Sequence, residues 1–475
     1  MAQHSLPTSC AAAQLVAALV AATFVATPGQ VRAQCPAVEI TKLIGADTAD
    51  NDQFGVSVDI DGDTAIVGAH GDDNAGGTTA GAAYVFIRSG GAWIQQAKLT
   101  ASDAASGDTF GASVAIEGDT AVVTADQDDH AGGVSAGSAY VFIRMDGVWS
   151  QQAKLVASDA AASDRFGNAV SLSGDTVVVG AGLDDHTSLM EPGAAYVFTR
   201  CNGSWSQQAK LTASDAANGD RFGASVAIDQ NWVVVGANSD DHVGGANAGS
   251  AYVFVRAGTL WTQTQKLTAS DAAMDDFFGD AVSISADTLV IGAPVDDHAG
   301  GSNAGSAYVF VRLAGVWSQQ AKLTASDAEP GELFGYSVDM SGDAAVLGAQ
   351  ADEGIGSAYV FARSGVVWSQ QAKLLPPDGA LNDAFGSAVA LSETSALVGA
   401  HQDTHAGGMT AGSAYWFDVT CDDDGDGIPN SMDVCPMNAA GLPVDCAGRP
   451  LRDCNLDCVV NGADIACITD EMLGL

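Results

Sequence analysis

Short apolar runs, each cut off by glycine and aspartate, fill most of this chain. Residues 110–156 show the pattern. An apolar run at 110–116 (FGASVAI) meets a turn at 117–119 (EGD), and a second run follows at 120–125 (TAVVTA). A loop at 128–137 (DDHAGGVSAG) leads to a third run at 138–144 (SAYVFIR), a turn at 146–147 and a fourth run at 149–156 (WSQQAKLV). Glycine and aspartate favour turns because they tolerate left-handed backbone or cap it with a side chain. No segment carries a helical period, so the unit predicts four strands. Alternation places Phe110, Ala112, Val114 and Ile116 on one face of the first, and Trp149, Gln151, Ala153 and Leu155 on one face of the fourth. Polar alternation is weak, as expected for sheets covered on both sides.

The unit recurs. Phe-Gly stands at 54, 110, 166, 222, 278, 334 and 385, 56 residues apart until a last interval of 51. A unit too small to bury its own faces must stack on its neighbours. Seven four-stranded units with glycine-rich turns predict an all-β fold, a seven-bladed β-propeller. The seventh copy stops after its third run, at Val419, while residues 38–44 match the end of a fourth run with nothing before it. The N-terminal segment is therefore expected to complete the last blade. Aligned on the other copies, Cys35 and Cys421 meet at the missing hairpin, which predicts a disulfide worth about 5 kcal/mol by loop entropy. All seven lysines share one repeat position (42, 98, 154, 210, 266, 322, 373), and six arginines share another (88, 144, 200, 256, 312, 363). Charges on an outermost strand discourage pairing with another chain, and that is the role expected of them.

Charge narrows the partners. The formal net charge is −40, from 58 acidic and 18 basic residues. Nucleic acid is excluded, since phosphate binding needs basic patches; cationic ligands and metal ions are favoured. Residues 11–26 are apolar but short for a membrane span, and Val31-Arg32-Ala33 fits a cleavage site, so residues 1–33 read as a secretory signal peptide. An uncleaved anchor is the rival reading. No later apolar stretch is long enough to span, and the mature chain is expected to be secreted or on the cell surface. The remaining boundaries are 34–420 for the propeller and 421–475 for a tail.

Strands alternate direction, so the second-to-third and fourth-to-first connections share one rim, and both are acidic. The first carries Asp72 and Asp73, Asp128 and Asp129, Asp184 and Asp185, Asp240 and Asp241, Asp296 and Asp297. The second carries a carboxylate seven and two residues before each Phe-Gly. Three readings stay open: turn caps that also confer solubility, calcium ligands, or a surface for a cationic partner. His130, His186, His242, His298 and His405 recur in the same loop, and duplication of a turn residue explains them better than a metal site. No triad, phosphate loop or metal-histidine motif stands out, and seven near-identical units suit multivalent binding better than catalysis.

The recurring Phe-Gly-x-Ser-Val, Val-Gly-Ala-x and Gly-Ser-Ala-Tyr-Val-Phe, with one intact Gly-Ala-Pro at 292–294, resemble the FG-GAP repeats of bacterial exported proteins, relatives of the integrin α-chain propeller. The resemblance implies a propeller used for adhesion or recognition. Integrin-type repeats often hold calcium between their first two strands. Here that connection is a short turn, and only Asp59, Asp61 and Asp63 hint at such a site, so it is not carried over.

The tail holds the clearest chemical motif. Asp422, Asp424, Asp426, Asn430 and Asp433 set oxygen side chains at calcium-loop spacing, with Gly427 at the sharp turn and the Ile428 carbonyl as a further ligand. With Cys435 after it, the loop resembles a thrombospondin type 3 repeat. Asp453, Asn455, Asp457, Val459, Asn461 and Asp464 repeat the spacing and resemble half of a dockerin, although Cys458 replaces the expected glycine and there is a single copy. An acidic linker and a metal-free disulfide knot are the respective alternatives. Five tail cysteines and Cys201 make six, whose connectivity stays open. The expected cofactor is Ca2+. The expected function is non-enzymatic recognition of, or adhesion to, an extracellular protein or polysaccharide. The alternatives are a carbohydrate-active enzyme, which would need an acidic pair across the channel, and a cell-envelope component anchored by its tail.

Overall fold

The structure, a computed structural model, describes residues 38–185 and 189–419. The expected signal peptide, the expected Cys35–Cys421 disulfide and both expected tail calcium loops lie outside them, as does His186. Seven antiparallel four-stranded sheets make up the described chain. Blade 1 runs Val58–Asp61, Thr64–Ala69, Ala82–Ser89 and Ala92–Leu99 from the inside outwards; blade 2 runs Phe110–Glu117, Thr120–Ala125, Ser138–Met145 and Val148–Leu155. The seventh sheet contains Phe385–Ser392, Ser395–Ala400 and Ser413–Asp418, with Val38–Leu43 hydrogen-bonded outside them. Seven apolar clusters lie between neighbouring blades, and one of them joins Val58 and Ile60 of blade 1 to Leu397 and Trp416 of blade 7.

Phe-Gly repeats for two reasons. Each phenylalanine is fully buried and meets a tyrosine and a phenylalanine of its own blade's third strand edge to face; Phe110 does so with Tyr140 and Phe142. Each following glycine has positive φ, and a Cβ on Gly111 would sit 2.3 Å from the Ala82 carbonyl oxygen of the preceding blade. Only glycine combines that backbone with that approach.

The fourth strand departs from simple alternation. Its pairing with the third slips by one residue in all seven blades, for example between Val141 and Phe142, where Gln151 faces Phe142. The extra residue turns the strand over. Trp149 packs toward blade 1, whereas Ala153 and Leu155 pack toward blade 3. The four residues expected on one face are thus divided between two, and both faces of the outer strand are used. On the blade 1 side, the Trp149 indole donates to Gln96 of blade 1; on the other, Gln152 accepts from Trp205 of blade 3.

The repeated lysines and arginines are braces rather than edge guards. Lys98 reaches Asp47 and Asp72, both at 2.7 Å, and the Tyr84 hydroxyl donates to the same two carboxylates. Burial opposes the ammonium charge, but hydrogen bonds to Asp47 and Asp72 outweigh it and hold Lys98 above its usual pKa. Arg144 binds Asp119 of its own first turn and Thr64 of the preceding blade. The lysine thereby ties the outer strand to the loop-side connections, and the arginine ties the third strand to the turn side.

Candidate recognition site at the channel mouth

The innermost strands surround a channel with a cavity of about 370 Å³. At its turn-side end, one side chain per blade accepts a backbone N–H from the next blade. Asp61 takes Gly118, Glu117 takes Gly174, Ser173 takes Gln230, and Asp229 takes Ala286. Ser285 takes Gly342, Ser341 takes Glu393, and Ser392 takes Gly62 of blade 1, which completes the circle. The short turns carrying Asp61 and Asp63 thus serve inter-blade bonding and arginine bracing.

One layer deeper, the corresponding positions read Asp59, Ala115, Ser171, Ala227, Ser283, Asp339 and Ala390. Asp59 accepts from the N–H groups of Ile60 and Ile116, at 2.8 and 2.6 Å. Asp339 accepts from Leu391 N–H at 2.7 Å and the Ser283 hydroxyl at 2.8 Å. Burial, and then the charge of Asp339, push Asp59 up to about 8; burial pushes Asp339 up to about 6. Sequence reasoning named Asp59 only as a weak calcium hint and did not find Asp339 as its neighbour. The signal was there, since five of the seven copies carry Ala or Ser at this position.

At the loop-side rim the acidic face changes character. Asp72, Asp128, Asp184, Asp240 and Asp296 are buried beneath the loops, each serving the tyrosine and lysine of its blade. They are not offered to a partner, which corrects half of the expected binding face. Their neighbours Asp73, Asp129, Asp185, Asp241 and Asp297 are exposed, and each accepts the N–H of the residue six further on. Adjacent aspartates in a loop point opposite ways, and composition cannot tell the inward one from the outward one. His130, His242, His298 and His405 are turn residues: Nδ1 accepts a glycine N–H two residues on and Nε2 donates to a carbonyl seven on. Asn74 makes the same pair of bonds in blade 1. Among the described residues, no group of three or more His, Cys, Asp or Glu side chains is placed to hold a metal ion.

The mouth of the channel on this rim is where the copies differ in chemistry. Three positions per blade line it: the residue before Phe-Gly, the residue after it, and the residue that follows the second strand. The first set reads Gln53, Thr109, Arg165, Arg221, Phe277, Leu333 and Ala384. The second reads Val56, Ala112, Asn168, Ala224, Asp280, Tyr336 and Ser387, and the third His70, Asp126, Gly182, Asn238, Pro294, Gln350 and His401. Every residue of the first set has positive φ although none is glycine. Seven left-handed non-glycine residues in one ring, at roughly 1–3 kcal/mol each, persist only because the loops hold them.

These side chains bond to one another. Gln53 meets His70 at 2.8 Å, Thr109 donates to Asp126 at 2.7 Å, and Asn238 donates to Asp280 of the next blade at 2.7 Å. His401 meets Ser387 at 2.9 Å. Burial lowers His70 against the pull of Asp126, and burial with the nearby His70 lowers His401 to about 4, so both rings are neutral at pH 7. Burial raises Asp280, and burial with the charge of Asp280 raises Tyr336. Phe277 and Tyr336 depart from the repeat, but a single copy of the unit does not place them on one ring. Reading the seven copies in columns would have shown it.

A sequence profile described as FG-GAP repeat matches residues 38–86, 93–142, 149–198, 205–254, 261–310, 317–361 and 368–417, more than half of the chain. No curated protein matches it.

Proposed function

We propose, from the premise that this chain belongs to the FG-GAP repeat family, that it is a non-catalytic recognition or adhesion protein. Its propeller presents the loop-side rim and channel mouth to an extracellular protein or polysaccharide. One observation carries this reading. Blade-building positions repeat almost unchanged seven times, while the ring at the channel mouth carries a different side chain on nearly every blade. A scaffold needs no such variety, whereas a surface that discriminates one ligand from another does.

The remaining parts extend this reading. Residues 1–33 direct export, and the tail loops hold Ca2+ through Asp422, Asp424, Asp426, Ile428, Asn430 and Asp433, and through Asp453, Asn455, Asp457, Val459, Asn461 and Asp464. Calcium suits those oxygen donors and would order a tail that joins the domain to a surface or partner. Asp59 and Asp339 are the pair on which a glycosidase reading would rest. Both carboxylates instead accept backbone N–H groups of neighbouring blades, which favours a structural role. The test is to screen the full chain on glycan and cell-surface protein arrays with and without a chelator. Retention of a defined set of ligands without turnover supports recognition; hydrolysis of a bound glycan, or retention of nothing, refutes it.

A further inference from the structure

The described cations point to a ligand class. Each of the seven lysines binds two carboxylates. Arg88, Arg144, Arg200, Arg312 and Arg363 pair with carboxylates of their own first turns, and Arg256 donates to the Gly258 carbonyl and the Thr176 hydroxyl. Two described cations stand outside this bracing. Arg165 has Asp126 only at 3.9 Å, and Arg221 has no ion pair among the described residues. Both are exposed, they occupy the same position on adjacent blades 3 and 4, and both stand at the channel mouth. In a chain of charge −40, two guanidinium groups left out of the bracing at the same position of adjacent blades are a feature the fold does not need.

We propose that Arg165 and Arg221 form the anion-binding side of the recognition ring, and that the ligand is an oligosaccharide bearing a carboxylate. This deepens the recognition reading above and rests on it. Guanidinium groups take carboxylates in a forked, charge-assisted geometry. Further round the ring, Tyr336 and Phe277 offer aromatic faces, and Asn238 and His70 offer polar atoms to hydroxyl groups. A sugar ring, apolar on its face and polar on its edge, fits that mixture. A densely acidic peptide does not, because the field of a strongly negative protein repels a run of like charges beyond the reach of the two arginines.

The copies themselves supply substitutions the fold accepts. Blade 1 carries Gln53 at the arginine position and blade 7 carries Ser387 at the Tyr336 position. The experiment is calorimetric titration of the full chain with a glucuronate-terminated oligosaccharide, the neutral oligosaccharide of equal length, and a glutamate-rich peptide. Wild type, the R165Q/R221Q double variant and Y336S are compared, with the melting temperature as the check on folding. The expected result is binding of the acidic oligosaccharide alone, weakened about tenfold or more in the double variant and less in Y336S, and weakened by added salt. Undiminished binding by R165Q/R221Q, preference for the neutral sugar, or preference for the peptide overturns the proposal. If the arrays identify a ligand but no acidic sugar binds, this inference fails while recognition stands; if the arrays identify none, recognition itself fails.

Discussion

Glycine at the Phe-Gly position and glycine at the hairpin tips look alike in the sequence but do different work. Gly111 combines a φ of 97° with a carbonyl where its Cβ would go, whereas Gly118 has nothing within 4 Å of that point, and Gln230 and Glu393 fill its place in other blades. Gly111→Ala is expected to cost about 3 kcal/mol or more and Gly118→Ala about 1 kcal/mol, read as the shift in urea midpoint at constant slope. Asp59 makes a different prediction. A carboxyl with a raised folded pKa binds its proton more tightly in the folded than in the unfolded chain. Stability is therefore lost as pH climbs from the ordinary aspartate value toward about 8. Six lysine-paired partners, Asp47, Asp103, Asp159, Asp215, Asp271 and Asp378, are held below their usual range, so they stay ionised throughout that window. Wild type should lose on the order of 2 kcal/mol more than Asp59→Asn between pH 5 and pH 9, measured by chemical denaturation at both pH values. Equal losses would show that Asp59 ionises freely in the channel.

At the scale of elements, each blade is held along its outer edge by a lysine that faces one buried and one exposed carboxylate. The Asp72 side chain is 2% exposed and that of Asp47 57%. Removing the cation strands a buried charge, whereas removing the exposed partner does not. Lys98→Met is expected to destabilise by about 3 kcal/mol and Asp47→Asn by less than about 1 kcal/mol, compared by thermal and urea unfolding of the two variants. The bulge belongs to this scale too. A Trp-x-Gln-Gln segment places tryptophan and the second glutamine on opposite faces, so an outer strand that carries it can bond to both neighbours. Alternation alone assigned Trp149 and Leu155 to the same face, because a one-residue insertion leaves no mark in composition.

On the scale of the whole molecule, the ring joins blade 7 to blade 1 by devices unlike those of most other junctions. Trp93 packs edge to face on Trp416, with Arg88 4.9 Å from the Trp416 ring centre, and neither indole N–H has a hydrogen-bond partner among the described residues. The junction of blades 4 and 5 has a similar pair: Trp317 packs on Trp232 and lacks a partner for its N–H among the described residues, because Thr264 stands where five other blades supply glutamine. The N-terminal strand at Val38–Leu43 covers the edge of Ser413–Asp418, and an uncovered edge pairs with other chains. Deleting residues 38–43 should therefore lower the unfolding midpoint and promote association, followed by light scattering during a thermal ramp. A deletion that melts and scatters light like wild type would show that the ring closes without that strand.

The sequence by itself determined the number of blades, the strand order within each and the rim on which the long loops lie. Those follow from local spacing, turn chemistry and repetition, all written along the chain. Only the tertiary structure decided which aspartate of each pair turns inward, that the lysines are braces, and that Arg165, Arg221, Tyr336, His70 and His401 share one ring. These facts depend on side-chain direction after a bulge and on residues many positions apart meeting where seven strands converge, and one-dimensional periodicity carries neither.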